Sequence, residues 1–249
     1  MSYQPPGDMR MTWLIGQRAA IEAMQDRLSL LMGVGFAFVL PILLVALIVR
    51  PVGSSPSADG QPPLGDMLAI YLLVVGLLPT IAAIGIACGQ FAGEKERGIL
   101  TPLLASPASN MAIFAGKVVG AIIPSLVYAM AADCVYLVSL AVLVGPAILL
   151  VLPVALSVTM IALVPLVACF AASVASLISS RVRTYNAAQQ IGGMVLMPLW
   201  GIVFGLAGKL SEWGPVGMLG GLVALAMLDV VLTTAAALTW RREEVLAHR

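Results

Sequence analysis

Six long apolar runs joined by short polar links constrain this chain more than any other feature. They occupy residues 28–49, 67–91, 117–144, 147–179, 187–207 and 216–240. A hydrocarbon layer ~30 Å thick takes about 20 helical residues to cross, and every run reaches that length. Hydrophobic residues make up 61% of the chain and charged residues only 10%, whereas a soluble domain is about a quarter charged. No single aqueous core hides so much apolar surface, so the solvent for most of the chain is lipid. The expected fold is all-α, a polytopic membrane protein with six transmembrane helices forming one domain over residues 1–249.

Prolines fall inside these runs at Pro41, Pro79, Pro153, Pro165 and Pro198. They are read as kinks, tolerated because neighbouring helices can satisfy the freed carbonyls. Ahead of the first run, residues 9–27 read as an amphipathic helix. Trp13, Leu14, Ala20, Ile21 and Met24 fall largely to one side and Arg10, Gln17, Arg18, Glu22 and Asp26 to the rest. Such a helix suits the membrane interface. The segment does not read as a signal peptide, because its first long apolar run begins only at Leu28.

Orientation follows from the basic residues. The N-terminal segment, the link after the second run, the link before the fifth and the C-terminal tail hold all thirteen Lys and Arg except Arg50 and Lys209. Cytoplasmic loops are enriched in Lys and Arg, so this side is expected to face the cytoplasm, with both termini inside and the protein integral to the cell membrane. The other links are short: a Pro/Gly/Ser-rich loop from Arg50 to Asp66, a turn at Gly145-Pro146, and Gly208–Pro215. A net charge of +1 gives no reason to expect nucleic acid as a partner. Cys88, Cys134 and Cys169 lie singly within apolar runs, and His248 stands alone in the tail. Neither a metal site nor a catalytic constellation is expected from them.

The stretch Phe91–Lys117, FAGEKERGILTPLLASPASNMAIFAGK, is the polar island of the chain. Glu94, Lys95, Glu96 and Arg97 are consecutive, and Ile99, Leu100, Leu103 and Leu104 share one helical face. Pro102 suits the first turn of a short helix and Pro107 its end. On residue chemistry alone this is either a docking element for a soluble partner or a connector whose greasy face lies on lipid.

The island resembles the signature of ABC-2-type transporter permeases. That signature runs from a Glu-(Lys/Arg)-Glu-Arg-Gly-Thr-Leu-Glu box through Leu-Leu, a small residue and Pro to a Gly-Lys. Glu94, Glu96, Arg97, Gly98, Leu100, Leu103, Leu104, Pro107, Gly116 and Lys117 match in order, while Ile99 replaces the usual Thr and Thr101 the usual Glu. Glu22-x3-Asp26-Arg27 before the first run, and Ser179–Leu199 leading into the fifth, are similar to the family as well. The resemblance implies a transmembrane subunit that is not itself an enzyme. It binds no cofactor, and ATP and Mg act in a separate ATPase. The implied partners are two ATPase subunits and a second permease subunit, identical or related. A coupling helix at about 98–106 would seat in the ATPase, with Glu94, Glu96, Arg97, Gly98, Ile99, Leu100, Leu103, Leu104 and Pro107 forming that contact. The implied activity is alternating-access transport, with export favoured. The chain itself has no GxxxxGK[ST] loop to cradle phosphates.

Asp133 and Asp229 are the acids deep inside the apolar runs. A charge in hydrocarbon is costly, so each is expected to face protein or a cavity, as a substrate or proton contact or as a structural hydrogen bond. Asn186, Gln189 and Gln190 open the fifth run, where they either line an access path or cap the helix. An ion-driven secondary carrier or channel using Asp133 and Asp229, or a membrane scaffold that transports nothing, are the alternative functions these residues leave open.

Overall fold

The computed structural model describes residues 8–25, 27–53, 63–97, 109–182 and 184–239. All of its regular elements among these residues are helical. Six helices are long and apolar enough to cross a membrane: Leu30–Val49, Leu64–Glu96, Asn110–Leu143, Val154–Arg181, Tyr185–Lys209 and Glu212–Leu238. A further helix, Asp8–Gln25, precedes them.

The spans fall where the apolar runs predict, but several boundaries move for local reasons. The second span continues past residue 91 through Glu94–Glu96, because Glu and Lys are good helix formers. The third starts at Asn110 rather than Lys117. Its N-cap is Ser109, whose hydroxyl accepts from the Ala112 N–H at 3.1 Å. Lys117 therefore lies two turns inside a span instead of opening it. The turn expected at Gly145-Pro146 is longer: Gly145 takes φ 126, open to glycine, and Pro146–Leu150 forms a 3-10 turn. Pro153 then stands immediately before the fourth span, not inside it. Lacking an N–H to donate, it sits where a helix starts without penalty. Pro165 and Pro198 are within their helices, as expected. The fifth and sixth spans follow one another within the helical run Tyr185–Thr239, which is interrupted at Gly214 with a φ of 66. Pro41 sits in a helical turn flanked by π-helical segments at Gly35–Val39 and Val45–Val49, and Pro79 in a 3-10 turn at Leu78–Thr80. Pro41 and Pro79 are thus absorbed by a change of helical pitch.

The second and fourth spans form the middle of the bundle. In their most apolar windows 61% and 56% of residues are buried, against 18% and 11% in the fifth and sixth. One apolar cluster joins the second, third and fourth spans at the end that carries the charged box, through Ala87, Phe91, Ile113, Phe114, Ala171 and Ala175. A second joins spans two to six around Leu73, Met160 and Val167. A third seats the first span on the second and third through Val45, Leu72 and Tyr136. The Tyr136 hydroxyl also donates to the Leu68 carbonyl at 3.1 Å.

The N-terminal helix packs against the third span through small residues. A Cβ on Gly116 would stand 2.9 Å from the Ile15 side chain and from the Thr12 carbonyl. One on Gly120 would stand 2.6 Å from the Ala19 Cβ. The helix is therefore amphipathic in a different sense from the one its sequence suggests. Gly16 and Ala20 are buried against protein, while Trp13, Leu14, Ile21 and Met24 remain exposed. The pair Gly201 and Gly205 has the same spacing but does not act this way; a Cβ added to either would meet nothing within 4 Å.

Near the charged box the second span widens into a π-helical segment, Gly89–Gly93. Ser179 of the fourth span inserts there. Its hydroxyl accepts from the Ala92 N–H at 2.8 Å and donates to the Cys88 carbonyl at 3.0 Å. One side chain thereby bridges the donor and acceptor that an α-helix would pair directly. Ser179→Ala takes away the acceptor of the buried Ala92 N–H and should cost about 1–3 kcal/mol. Amide hydrogen exchange at Ala92 should quicken accordingly, and unchanged exchange there would remove Ser179 from this role.

Candidate functional site

The charged box ends the second span, and its two acids do different things. Glu94 reaches the third span: Lys117 Nζ donates to its Oε2 at 2.6 Å. The Lys117 side chain is 2% exposed and that of Glu94 28%, so the pair is shielded from water mainly on the lysine side. Lys117 also donates to the Gln90 carbonyl, and its ammonium lies 5.0 Å from the centre of the Phe91 ring. A buried ammonium is tolerable only when so surrounded.

Glu96 reaches the fifth span. Its Oε2 accepts from the Tyr185 backbone N–H at 3.1 Å. Tyr185 is the first residue of that helix, whose N-terminus carries partial positive charge and unpaired N–H groups. The tyrosine ring then lies along a glycine stripe on the second span. Cβ atoms on Gly85, Gly89 and Gly93 would meet it at 3.7–3.9 Å. Two acids of one helix end thus hold the third and fifth spans, while Ser179 holds the fourth.

Arg97 is exposed at the end of the second span, its N–H bonded to the Gly93 carbonyl at 3.1 Å. Gly98, Ile99, Leu100, Leu103, Leu104 and Pro107 lie outside the described residues. Asn186, Gln189 and Gln190 lie at the start of the fifth span, Gln189 and Gln190 exposed. None caps it; the Thr184 hydroxyl does, accepting from the Ala187 N–H at 3.4 Å. Asp133 and Asp229 are both buried, at 8% and 4% exposure, but face different neighbours. Asp133 abuts Gly76 of the second span, whereas Asp229 belongs to the sixth.

Sequence reading misses the partners of the box. Lys117 is legible as the end of the family signature but not as the counter-ion of Glu94. Ser179 and Tyr185 fall in the Ser179–Leu199 stretch that resembles the family, but nothing in that stretch marks either as a partner of the second span.

Six helices long and apolar enough to span, linked at one end by a charged box, define a class: a polytopic membrane protein. Residues 10–205 match the family described as ABC-2 type transporter, and the chain belongs to that family. It is accordingly an ABC transporter permease, integral to a membrane, and not the ATPase. No curated protein matches the chain.

Proposed function

We propose that the chain exports its substrate by alternating access, as one of two permease subunits, identical or related, driven by two ATPase subunits that bind ATP and Mg. The charged box, both termini and the links on that side face the cytoplasm of a cell-membrane protein, in keeping with the distribution of basic residues. The N-terminal helix lies at the interface, its exposed Trp13 and Leu14 toward lipid.

The observation that supports this reading most is the wiring of the box. Residues 98–107 follow directly from a helix end that holds the third span through Glu94 and the fifth through Glu96. A pull on that segment by a closing ATPase would reach several spans at once, as a two-state switch requires. In this arrangement Glu94 and Glu96 bear on their own chain. Arg97, Gly98, Ile99, Leu100, Leu103, Leu104 and Pro107 supply the surface for the ATPase.

Replacing Leu103 and Leu104 together by Asp should abolish co-purification of the ATPase while leaving membrane insertion and yield unchanged. Losing two buried leucines at such a contact costs about 3–6 kcal/mol, or roughly a hundredfold or more in affinity. Undiminished association in the double variant would refute the docking assignment.

A further inference from the structure

The buried core of the bundle is divided, and the division falls at four prolines. Pro79, Pro124, Pro165 and Pro198 lie within the second, third, fourth and fifth spans. The cluster at the box end draws its buried residues from 83–92 of the second span, 113–121 of the third, 171–175 of the fourth and Ala188 of the fifth. Every one of these lies on the box side of its own span's proline. The next cluster draws on 69–77 of the second span, Ala129 of the third, 156–167 of the fourth, and Val203 and Ala207 of the fifth. These lie on the far side of the same prolines, except Val167, two residues past Pro165. Leu199, directly after Pro198, packs against both clusters.

Contacts between spans place the prolines in one band. The Phe91 and Phe114 rings, 5.4 Å apart, lie twelve and ten residues to the box side of Pro79 and Pro124. The Tyr136 hydroxyl and its acceptor on Leu68 lie twelve and eleven residues beyond the same two prolines. A Cβ on Gly76 would meet Val164 at 2.7 Å, three and one residues beyond Pro79 and Pro165. One on Gly192 would meet Ile84 at 3.5 Å, six and five residues to the box side of Pro198 and Pro79. Asp133 against Gly76 departs most, by six residues, so the band is about two helical turns deep.

A proline inside a helix offers no N–H and crowds the carbonyl one turn back, so the hydrogen-bond ladder is interrupted there. Such a place bends more easily than the helix to either side. In the second span the pitch itself changes, to a 3-10 turn at Leu78–Thr80, where the Thr80 hydroxyl donates to the Leu77 carbonyl at 2.6 Å. The polar ties described above respect the same division. Glu94 with Lys117, Glu96 with the Tyr185 N–H, and Ser179 with the Cys88–Ala92 turn join the box-side halves. Tyr136 with Leu68 joins the far halves. The first span contributes no buried residue to either of the two clusters. The sixth has no proline after Pro215, but it is the least buried of the six in its most apolar window.

We propose that spans two to five form two bodies hinged at this proline band, a box-side body that moves as a unit and a far-side body against which it pivots. This deepens the transport function proposed above by locating the bend of alternating access. The use of the hinge in transport rests on that function; its existence does not. About fourteen helical residues make a lever of about 20 Å, and a change of about 20° at the band moves its end by about 7 Å.

The test uses the full chain in lipid nanodiscs without the ATPase, so that the hinge is read apart from its motor. Cys88, Cys134 and Cys169 are replaced by alanine, and spin labels are attached in pairs at exposed positions. Met111→Cys with Ile191→Cys puts both labels on the box side, and Val138→Cys with Leu206→Cys puts both on the far side. Met111→Cys with Leu206→Cys, and Ile191→Cys with Val138→Cys, cross the band. Pulsed dipolar spectroscopy should give narrow distance distributions for the same-side pairs. The crossing pairs should be wider by about 7 Å, the travel of the lever. Pro79→Ala, Pro124→Ala, Pro165→Ala and Pro198→Ala together should narrow the crossing pairs to the same-side width. Because that variant can fold poorly, the chain with its prolines intact is a test by itself: equal widths for all four pairs would show one rigid body and overturn the proposal. Crossing widths unchanged in a folded proline-free variant would overturn it too. None of these distances depends on ATPase docking, so the Leu103/Leu104 experiment fails or succeeds separately.

Discussion

Glu94→Ala should lower the stability of the bundle by about 3 kcal/mol, the largest loss expected from any surface-proximal residue of the box. The reason is the group it leaves behind. Lys117 is 2% exposed, and with Glu94 gone its ammonium keeps only the Gln90 carbonyl and the Phe91 ring. Removing one partner of a buried pair strands the other, whereas removing both does not. A Glu94→Leu/Lys117→Met double variant should therefore recover most of the lost melting temperature in detergent. It should not recover coupling: the link between the box and the third span would be apolar and slack, and substrate stimulation of the partner ATPase should fall. If the single and double variants melt alike, the pair carries little energy and Glu94 is not what ties the box to the third span.

Gly120→Val is the second large effect. The new Cβ would sit 2.6 Å from the Ala19 Cβ and 2.9 Å from the Gly16 carbonyl. Backbone cannot swing aside as a flexible side chain can, so the N-terminal helix must move bodily. Overpacking of this kind costs about 1–3 kcal/mol. Amide exchange over Asp8–Gln25 should rise, because that helix leans on the third span through Gly16 and Ala20. Gly201→Val is the control, since nothing lies within 4 Å of its Cβ position. Equal behaviour of the two variants would show that the N-terminal helix is held elsewhere.

These two sites also show where sequence reading stops. The spacing of Gly116 and Gly120 is visible in the chain, but so is that of Gly201 and Gly205, and only the first pair receives a helix. Spacing says that a close approach is possible; which helix arrives is settled by the packing of all of them. Charge patterning opens the third span at Lys117, because a charge usually marks the end of an apolar run. Its true start is decided by Ser109 and the N–H of Ala112, a contact of 3.1 Å that charge patterning does not report. The lysine is buried because it has a partner 23 residues upstream in the chain, at the end of another helix.

The amino-acid sequence by itself determined that this is an all-helical membrane protein with six spans, and it placed the chain in its transporter family. Hydrophobic length and a local motif are properties of contiguous residues, so they survive without coordinates. Only the tertiary structure decided that Glu94 and Glu96 face their own bundle and that Ser179 completes a π-helical turn. It alone also left Asp133 and Asp229 buried with unpaired oxygens. Those facts depend on which helix faces cross, and in lipid, where no apolar surface needs hiding from water, close packing and hydrogen bonds choose the crossing.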